Sequence, residues 1–310
     1  MKKWLWRGGV LLGAGLLAAG LVLAVDGYGA TGGPADVARG YFAALARSDA
    51  PDALAYGDVP DGPHTLLTST VLGVQNRIAP MQDVRVGATN QAGGKASVAV
   101  TYTLAFPGAP QTIKAQVPLH EQDGGWRLDA VAIRTQLIVD HAAQRVSVAG
   151  GPVPSGSVLL FPGAVPVGFD TPYLALSPAD DHVDFGAASP TTVVVQVSAA
   201  GRRAVDAAVL AKLRHCLAVA DPVCPLPSER YVPGSVRGTL PASALSRLSV
   251  MVGDDPSGQL DIAGGVPIEA SAYRWLTFGN VARSGHGTLT LQVSASAYPV
   301  APLNVVWTEP

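Results

Sequence analysis

Apolar and polar residues alternate strictly in two stretches between residues 95 and 122. One face of the first stretch carries Val98, Val100, Tyr102, Leu104 and Phe106, and one face of the second carries Ile113, Ala115, Val117 and Leu119. Because successive side chains of a β-strand point to opposite faces, the pattern predicts two strands buried on one side. The turn residues 123–125 then lead into "WRLDAVAI", which predicts a hairpin.

Two stretches before these strands have helical periodicity. One helical face of residues 35–57 carries Val37, Tyr41, Ala44 and Leu45. This helix is expected to end before Pro51, and a second is expected around residues 66–78, before Pro80. Helices followed by a meander of strands predict an α+β domain over residues 35–135, with the helices on one face of the sheet.

Residues 136–310 have a different pattern. Short β-branched runs such as "TTVVVQVS" and "GTLTLQVSASAY" alternate with Gly and Pro, which predicts a mainly-β, sandwich-like antiparallel domain. One helix is expected within it, over residues 199–219, with Ser198 as its N-cap and Pro222 preventing its continuation.

The amino-terminal residues predict export. Gly8 to Val25 is free of charge and follows Lys2, Lys3 and Arg7. A run of this length just spans a membrane, so residues 1–25 are expected to be a transmembrane anchor or a signal peptide cleaved after Ala24. In both cases residues 26–310 lie outside the cytoplasm, beginning with a linker over residues 26–34. The lipid bilayer is the partner expected for residues 4–25.

The charge of the exported part argues against two classes of partner. Three of the 21 Lys and Arg residues precede residue 26, so 18 basic and 23 acidic side chains remain. Nucleic acids and anionic lipid surfaces both reward clustered cations. Neither is expected to bind an exported region with net negative charge.

The two cysteines of the chain, Cys216 and Cys224, are predicted to form a disulfide. An even pair in an oxidising compartment normally pairs, and the spacing is not that of a C-x-x-C redox motif. A zinc site made from both thiolates and His215 would lack one ligand, and on a helix His215 points about 100° away from its neighbour. The pair is therefore interpreted as a covalent staple.

Two resemblances extend this interpretation. The stretches "YFAALARSDAPDALAY" and "DGGWRLDAV" make residues 34–135 similar to the nuclear-transport-factor-two-like (SnoaL-like) superfamily, which implies a cone-shaped curved sheet closed by helices. The stretches "TSTVLGVQNRIAPMQDVRV", "VLLFPGAVPV" and "HCLAVADPVCP" resemble uncharacterised membrane-anchored exported proteins of high-GC Gram-positive bacteria. That second resemblance implies location and architecture and no activity.

The complete fold prediction is therefore α+β in three parts. It comprises a single N-terminal transmembrane helix, a cone-shaped domain of helices and curved antiparallel sheet, and a mainly-β domain with one helix.

The interior expected for the cone contains little chemistry. Its predicted inward positions are apolar apart from Tyr102, which is the one candidate polar residue of a pocket. The positions predicted to face outward carry Lys114, Gln116, His120, Arg127 and Asp129. A general base must reach a substrate inside a pocket, so a catalytic pair made from His64 and Asp61, in a preceding loop, is a minor alternative.

Other patterns in the chain do not define a catalytic site. The G-x-S-x-G and S-x-x-K signatures are absent from the sequence, and "SGHG" at residues 284–287 is interpreted as a hairpin turn. Acidic clusters at residues 180–184 and 254–261 are calcium candidates of low weight, because exposed turns have the same composition. Trp126, Trp275 and Trp307 are expected to pack in the core. No metal and no cofactor is predicted.

Two hypotheses of function remain. The first is a membrane-tethered, extracytoplasmic, non-enzymatic binding or scaffold protein of the cell envelope, with an envelope or secretion protein as partner. The alternative is an exported enzyme or small-molecule sensor that uses a cone pocket within residues 35–135. An open cone with an inward Asp or His would favour the alternative.

Overall fold

The computed structural model describes residues 32–177, 181–186 and 190–308. The predicted transmembrane or signal segment, residues 1–25, lies outside the described residues, as does most of the predicted linker. The described residues contain four α-helices and one short 3₁₀ turn. The helices are α1 (Pro34–Ala46), α2 (Ala50–Ala55), α3 (Ser69–Ile78) and α4 (Ala199–Val219), and the 3₁₀ turn is Ala143–Arg145.

The local sequence accounts for where these helices begin. Asp49 and Thr68 accept hydrogen bonds from backbone N–H groups in the first turns of α2 and α3, and Ser198 does the same for Gly201 at 2.9 Å. Such caps satisfy donors that the helix leaves unpaired. The observed α4 has the predicted range and the predicted N-cap, and α1 ends before Pro51 as expected, while the short helix α2 was not predicted.

The first sheet is an antiparallel meander of four strands in the order β1-β2-β3-β4. These strands are β1 (Met81–Ala92), β2 (Lys95–Leu104), β3 (Gln111–Gln122) and β4 (Gly125–Leu128). The predicted alternation is confirmed, since Val98, Val100, Tyr102, Ile113 and Val117 are all buried while their neighbours along the strands are more exposed. Helix α1 covers this face and contributes the fully buried Tyr41, Phe42 and Leu45.

The rest of the chain forms several smaller sheets and one long one. Its strands are β5 (Ile133–Asp140), β6 (Val146–Val148), β7 (Ser157–Leu160), β8 (Gly163–Ala164), β9 (Val167–Phe169), β10 (Leu174–Leu176), β11 (His182–Val183), β12 (Thr191–Val197), β13 (Arg237–Thr239), β14 (Ser249–Val252), β15 (Leu260–Leu276), β16 (Ala282–Ala297) and β17 (Val305–Trp307). One sheet has the order β10-β12-β5-β7, and its β5 and β12 are parallel, unlike the purely antiparallel arrangement that was expected.

The long sheet is built on the hairpin of β15 and β16. Strand β17 pairs with β16, while β13 and β14 pair with β15. Helix α4 packs on one face of this sheet, where Val205, Val209 and Leu213 share a buried cluster with Val266 and Leu291. The end of the hairpin that includes residues 270–288 is mostly exposed on both faces.

The predicted α+β class is wrong, because the protein is mainly β. Strands make up 43% of the described residues and helices 20%. The helices that suggested an α+β domain are short, since α1, α2 and α3 have 13, 6 and 10 residues. Among the described residues, no helix combines the length and the apolar character that a membrane crossing requires.

The boundary between the two predicted domains, near residue 135, stays a prediction. Residues from beyond that point, Leu159 and Phe161, lie in the same buried cluster as α1 and the first sheet. In the opposite direction, Leu66 and Val71 belong to the cluster that contains α4 and the long sheet.

Candidate functional site

The disulfide predicted between Cys216 and Cys224 is confirmed. The two Cα atoms lie 5.7 Å apart, and Cys216 occupies the last turn of α4. Cys216 is buried while the adjacent His215 is exposed, which agrees with the expectation that the two side chains point in different directions on the helix. The bond ties the end of α4 to the chain that follows Pro222.

The chain after the helix runs through residues 222–230, which we call the proline segment. Helix α4 ends at Ala220 in a left-handed conformation, and Asp221 Oδ1 accepts a hydrogen bond of 3.0 Å from the Val223 N–H. Three prolines in "PVCPLPSER" lack an N–H donor, so this segment cannot form a continuous strand ladder. One backbone contact fixes its middle, where Leu226 O accepts a hydrogen bond of 3.0 Å from the Gln292 N–H of β16.

A groove of about 860 Å³ separates the proline segment from the long sheet. One wall is the proline segment itself, and the other wall is formed by Gln292 and Ser294 of β16 together with Trp307 and Thr308. The Ser294 and Thr308 hydroxyl oxygens lie 2.8 Å apart, within hydrogen-bonding distance. The volume falls within the range of ligand sites.

Trp307, which was expected to pack in the core, is half-buried: it packs against the buried cluster of α4 and the long sheet and also lines this groove. The Lys212 ammonium lies 5.4 Å from the centre of its ring and donates a hydrogen bond to Val305 O. A cation over the face of an indole ring is an attractive arrangement. Lys212 therefore helps to hold the Trp307 ring, and the sequence did not reveal this contact because 93 positions separate Lys212 from Val305.

The lining of the groove is suited to binding more than to acid–base catalysis. Its charged side chains are Glu229 and Arg230, and the rest is apolar, hydroxyl or amide in character, together with the sulfur of Cys224. A site of general acid–base catalysis needs a titratable group within hydrogen-bonding reach of a substrate, usually with a partner that adjusts its pKa. No such pair lines this groove among the described residues.

Tyr102, the predicted pocket residue, is enclosed by other side chains. Its ring is fully buried with its centre 5.2 Å from that of Phe42, and the Phe42 ring in turn lies 5.2 Å from Tyr41. The half-buried Phe185 lies 6.2 Å from Tyr41 and 6.3 Å from Phe42, ring centre to ring centre. An aromatic cluster thus fills the covered face of the first sheet where a polar pocket was considered.

The two tyrosines in this cluster differ in how their hydroxyl groups are satisfied. Tyr41 donates a hydrogen bond of 2.7 Å to Val131 O, whereas the Tyr102 hydroxyl has no hydrogen-bond partner among the described residues. Burial raises the pKa of Tyr41 well above its ordinary value, and the nearby Tyr102 raises it further. Burial, with a smaller effect from Asp184, also raises the pKa of Tyr102.

The acidic cluster at residues 180–184 lies close to this aromatic cluster, and Asp180 lies outside the described residues. His182 Nδ1 lies 3.0 Å from Asp181, and Gln111 donates a hydrogen bond of 2.8 Å to the same carboxylate. In the second acidic cluster, hydrogen bonding from Ser257 lowers the pKa of Asp255, and the Ser257 N–H donates a hydrogen bond of 2.7 Å to Asp255 Oδ1. Within the described part of the chain, no three potential ligands are placed to hold a metal ion.

The polar residues on the outer face of the first sheet do form a cluster. His120 Nδ1 lies 2.8 Å from Asp129, and Asp58 lies 3.7 Å from His120 and 3.6 Å from Arg127. The structure thus brings Asp58 to His120, a contact that the sequence did not indicate. These side chains are partly or fully solvent-exposed, and the cluster lies outside the groove.

The minor catalytic alternative in the preceding loop is not assembled. His64 contacts Pro60 O at 3.2 Å, and the backbone oxygen of Asp61 accepts a hydrogen bond from Arg134. Both side chains are exposed.

The interpretation of residues 284–287 as a hairpin turn is wrong. Ser284 and His286 lie within β16, and the turn is formed by residues 277–281. Gly279 and Asn280 have positive φ angles of 84° and 58°, a backbone conformation that these two residue types adopt most readily. The residues that form the turn are contiguous in the sequence as "TFGNV".

Comparison with known proteins does not identify a family. No family model matches the chain, and no curated protein is similar to it. A SEC-C motif-containing protein from Rhodopseudomonas palustris is a solved structure with 18% identity and a TM-score of 0.27; the match covers 31% of this chain and 74% of that one.

Two further solved structures have similarly low scores. A putative NTF2-like transpeptidase from Campylobacter jejuni has 15% identity and a TM-score of 0.26, with 31% of this chain and 97% of that one covered. A protein of unknown function from Mycobacterium tuberculosis has 18% identity and a TM-score of 0.22, with 31% and 64% covered. The NTF2-like name agrees loosely with the resemblance of residues 34–135, but scores this low carry no argument about fold or activity.

Proposed function

We propose that this chain is an extracytoplasmic, non-enzymatic binding or scaffold protein of the cell envelope, and that the groove beside the disulfide contacts its partner. The observation that carries the proposal is the lining of the groove. A half-buried indole, three prolines and several hydroxyl groups provide apolar contact area and hydrogen bonds at the end of a sheet. Aromatic side chains of this kind dominate the affinity of many protein interfaces.

The disulfide supports the proposed location. Disulfides persist in oxidising compartments and are rare in the cytosol. Cys224 is part of the groove lining, so the same bond that indicates the compartment also shapes the proposed site. Attachment to a membrane through residues 4–25 stays a prediction from the sequence.

The enzyme and sensor hypothesis has weaker support. It requires an accessible space on the covered face of the first sheet, and Tyr102, Phe42 and Phe185 occupy that region with their own rings. The Tyr102 hydroxyl is the one feature there that a small molecule would use, since it lacks a hydrogen-bond partner among the described residues.

Site-specific photocrosslinking in intact cells tests the proposal. A photoreactive amino acid at Val223, which is 72% exposed and lines the groove, should crosslink one envelope protein reproducibly. The same amino acid at Arg85, an exposed position on β1, is the matched control and should not. Trp307→Ala should reduce the yield from Val223 several-fold, because it removes the largest contact surface of the groove.

A different crosslinking result would contradict the proposal. If no protein is crosslinked from Val223 while a small molecule copurifies with the full chain, the binding-protein proposal fails. If Tyr102→Phe also abolishes that copurification, the sensor hypothesis replaces it.

A further inference from the structure

The outer edge of β16 is unpaired over most of its length. Strand β17 covers residues 295–297, Thr308 bonds to Ser294, and Leu226 bonds to Gln292. Within the described chain, no backbone group pairs with this edge between residues 282 and 291. The inner edge of the hairpin, on β15, is covered by β13, by β14 and by a bridge from Tyr231.

The geometry of β16 directs hydrogen-bonding groups outward along this edge. In an antiparallel sheet the backbone groups of successive residues alternate between the two neighbouring strands. The Gln292 N–H points outward to Leu226, so the backbone groups of Thr290 and Thr288 point outward as well. Both threonine side chains are exposed, and neither position carries a charge or a proline that would block the approach of another strand.

The outer part of the β15–β16 hairpin, residues 270–288, which we call the arm, differs in charge from the rest of the exported region. It contains no Asp or Glu and carries the exposed Arg274 and Arg283. Just before it, the Glu269 carboxylate accepts hydrogen bonds of 3.3 Å from the Thr288 hydroxyl. The exported region as a whole has an excess of acidic residues. A local cationic surface on an acidic protein favours an acidic partner, through both specificity and association rate.

The same charges argue against pairing between two copies of this chain. Two β16 edges joined antiparallel over residues 282–291 would place Arg283 of both copies in one interface, to which neither edge contributes an acidic residue. Like charges placed together across an interface are unfavourable.

The tip of the arm provides an apolar anchor. Phe278 is fully exposed and Val281 is 53% exposed at the turn between β15 and β16. Single exposed apolar side chains are common on protein surfaces, so Phe278 adds contact area at this place and does not by itself indicate a partner. Phe278 lies next to the free edge and extends the contact area that a partner would find there.

We propose that the free edge of β16, residues 282–291, binds an extended acidic segment of a protein partner, which adds as a further strand. Main-chain hydrogen bonds to Thr288 and Thr290 provide the affinity, and the arginines select the acidic sequence. Gln292, the residue that directly follows the free edge, also lines the groove, so the two surfaces are continuous. The inference rests on the proposed function in taking the chain to bind a protein.

A peptide titration of the full chain, purified in a mild detergent, tests this inference. The probe is a labelled pool of ten-residue peptides in which Thr and Val alternate around two Glu residues. The comparison pool has two Lys residues in place of the two Glu residues. We expect the acidic pool to bind at least about ten-fold more tightly by fluorescence anisotropy. Acidic peptides with N-methyl groups on alternate amides should bind about ten-fold more weakly than the unmethylated pool, because each lost main-chain hydrogen bond reduces affinity.

Variants of the chain provide the matched comparison. Thr290→Pro removes one outward N–H and should weaken binding about ten-fold, whereas Thr290→Val keeps that donor and should not. The double change Arg274→Glu and Arg283→Glu should remove the preference for the acidic pool, and Arg85→Glu on β1 is its control. Protection of the Thr288 and Thr290 amides from hydrogen exchange on adding the acidic pool is a second measurement, independent of whether Thr290→Pro folds.

Several results would overturn the inference. They are equal binding of the acidic and lysine pools, no loss of affinity on N-methylation, and no added protection of the Thr288 and Thr290 amides. Protection that rises with protein concentration alone would indicate a second copy as the occupant. Protection by phosphatidylglycerol vesicles alone, lost in Phe278→Ser, would indicate a lipid surface. If crosslinking from Val223 persists in Thr290→Pro, the groove function stands whether or not the edge binds a strand.

Discussion

Apolar and polar residues alternate both in the first sheet and in the long hairpin of β15 and β16, but the large aromatic side chains of the two regions differ in burial. On the covered face of the first sheet, Tyr102 of β2 and the α1 residues Tyr41 and Phe42 are fully buried. On the outer half of the hairpin, Tyr273 and Trp275 stack on each other at 5.5 Å but stay only half-buried, and Phe278 is fully exposed. The difference arises from what covers each sheet. Helix α1 packs on the first sheet, whereas the buried cluster that α4 forms with the long sheet includes Val266 and Leu291 but neither Trp275 nor Phe278.

This contrast separates a region that stabilises the protein from a region available to a partner. Alternation in a strand specifies which side chains share a face and leaves open whether another element covers that face. The most exposed large apolar ring of the described chain, Phe278, therefore has little to contribute to stability.

The largest expected effect comes from making the same substitution in both regions. Phe42→Ala should lower the free energy of unfolding by about 3–5 kcal/mol, because it leaves a cavity among Tyr41, Tyr102 and Phe185. Phe278→Ala should change it by less than about 0.5 kcal/mol, because it removes no buried contact. Urea denaturation of both variants measures the difference. Comparable losses in the two variants would show that the contrast between the regions is wrong.

A smaller effect is expected at the boundary of the long sheet. Cys216→Ser should lower the free energy of unfolding by about 2–3 kcal/mol, because the disulfide closes a loop of about nine residues and restricts the unfolded chain. Reduction of the unmodified protein should have a similar effect, and reduction of the variant should have none. Detection of two free thiols in the native protein by mass spectrometry would contradict this prediction.

The smallest effects on stability are expected from removing the two tyrosine hydroxyl groups of the buried aromatic cluster. Tyr102→Phe should raise the free energy of unfolding by about 1 kcal/mol, because it removes a buried hydroxyl that lacks a partner. Tyr41→Phe should lower it by about 1 kcal/mol, because it leaves Val131 O without its donor. The two variants are each other's control in denaturant unfolding, and shifts of the same sign would refute the assignment.

The raised pKa values of Tyr41 and Tyr102 also predict how the stability of the protein depends on pH. The folded protein keeps both phenols neutral, while in the unfolded chain a tyrosine ionises near pH 10. Stability is therefore complete below about pH 10 and falls as the pH rises toward the folded-state pKa values, by about 1.4 kcal/mol per pH unit for each tyrosine. Denaturant unfolding between pH 8 and pH 11 should show this fall, and replacing both tyrosines with Phe should reduce it.

Sequence patterns predicted local structure well where the determining residues are close together. The range of α4 followed from Ser198 at its start and Pro222 beyond its end, and the alternation of β2 and β3 followed from neighbouring residues. The parallel pairing of β5 and β12 joins strands more than 50 residues apart, and no short-range pattern encodes it. The α+β class was wrong because α1, α2 and α3 are short and strands predominate in the described residues.

The candidate site was harder to predict because it also depends on contacts between residues that are far apart in the sequence. Cys216 and Cys224 indicated a disulfide from the sequence, but the groove beside it depends on contacts with β16 and β17, more than 60 residues away. Phe185 reaches the rings of Tyr41 and Phe42 from a segment interpreted only as an acidic turn. Such long-range contacts are products of the fold, and only the coordinates reveal them.

The position of Cys224 in the groove wall has a consequence for when the protein can act. In a reducing compartment the proline segment is held to α4 only by non-covalent contacts, so the groove lacks its covalent closure. Oxidation closes the wall. Under the proposed export, we therefore expect the newly made chain to bind the proposed partner poorly until the disulfide has formed.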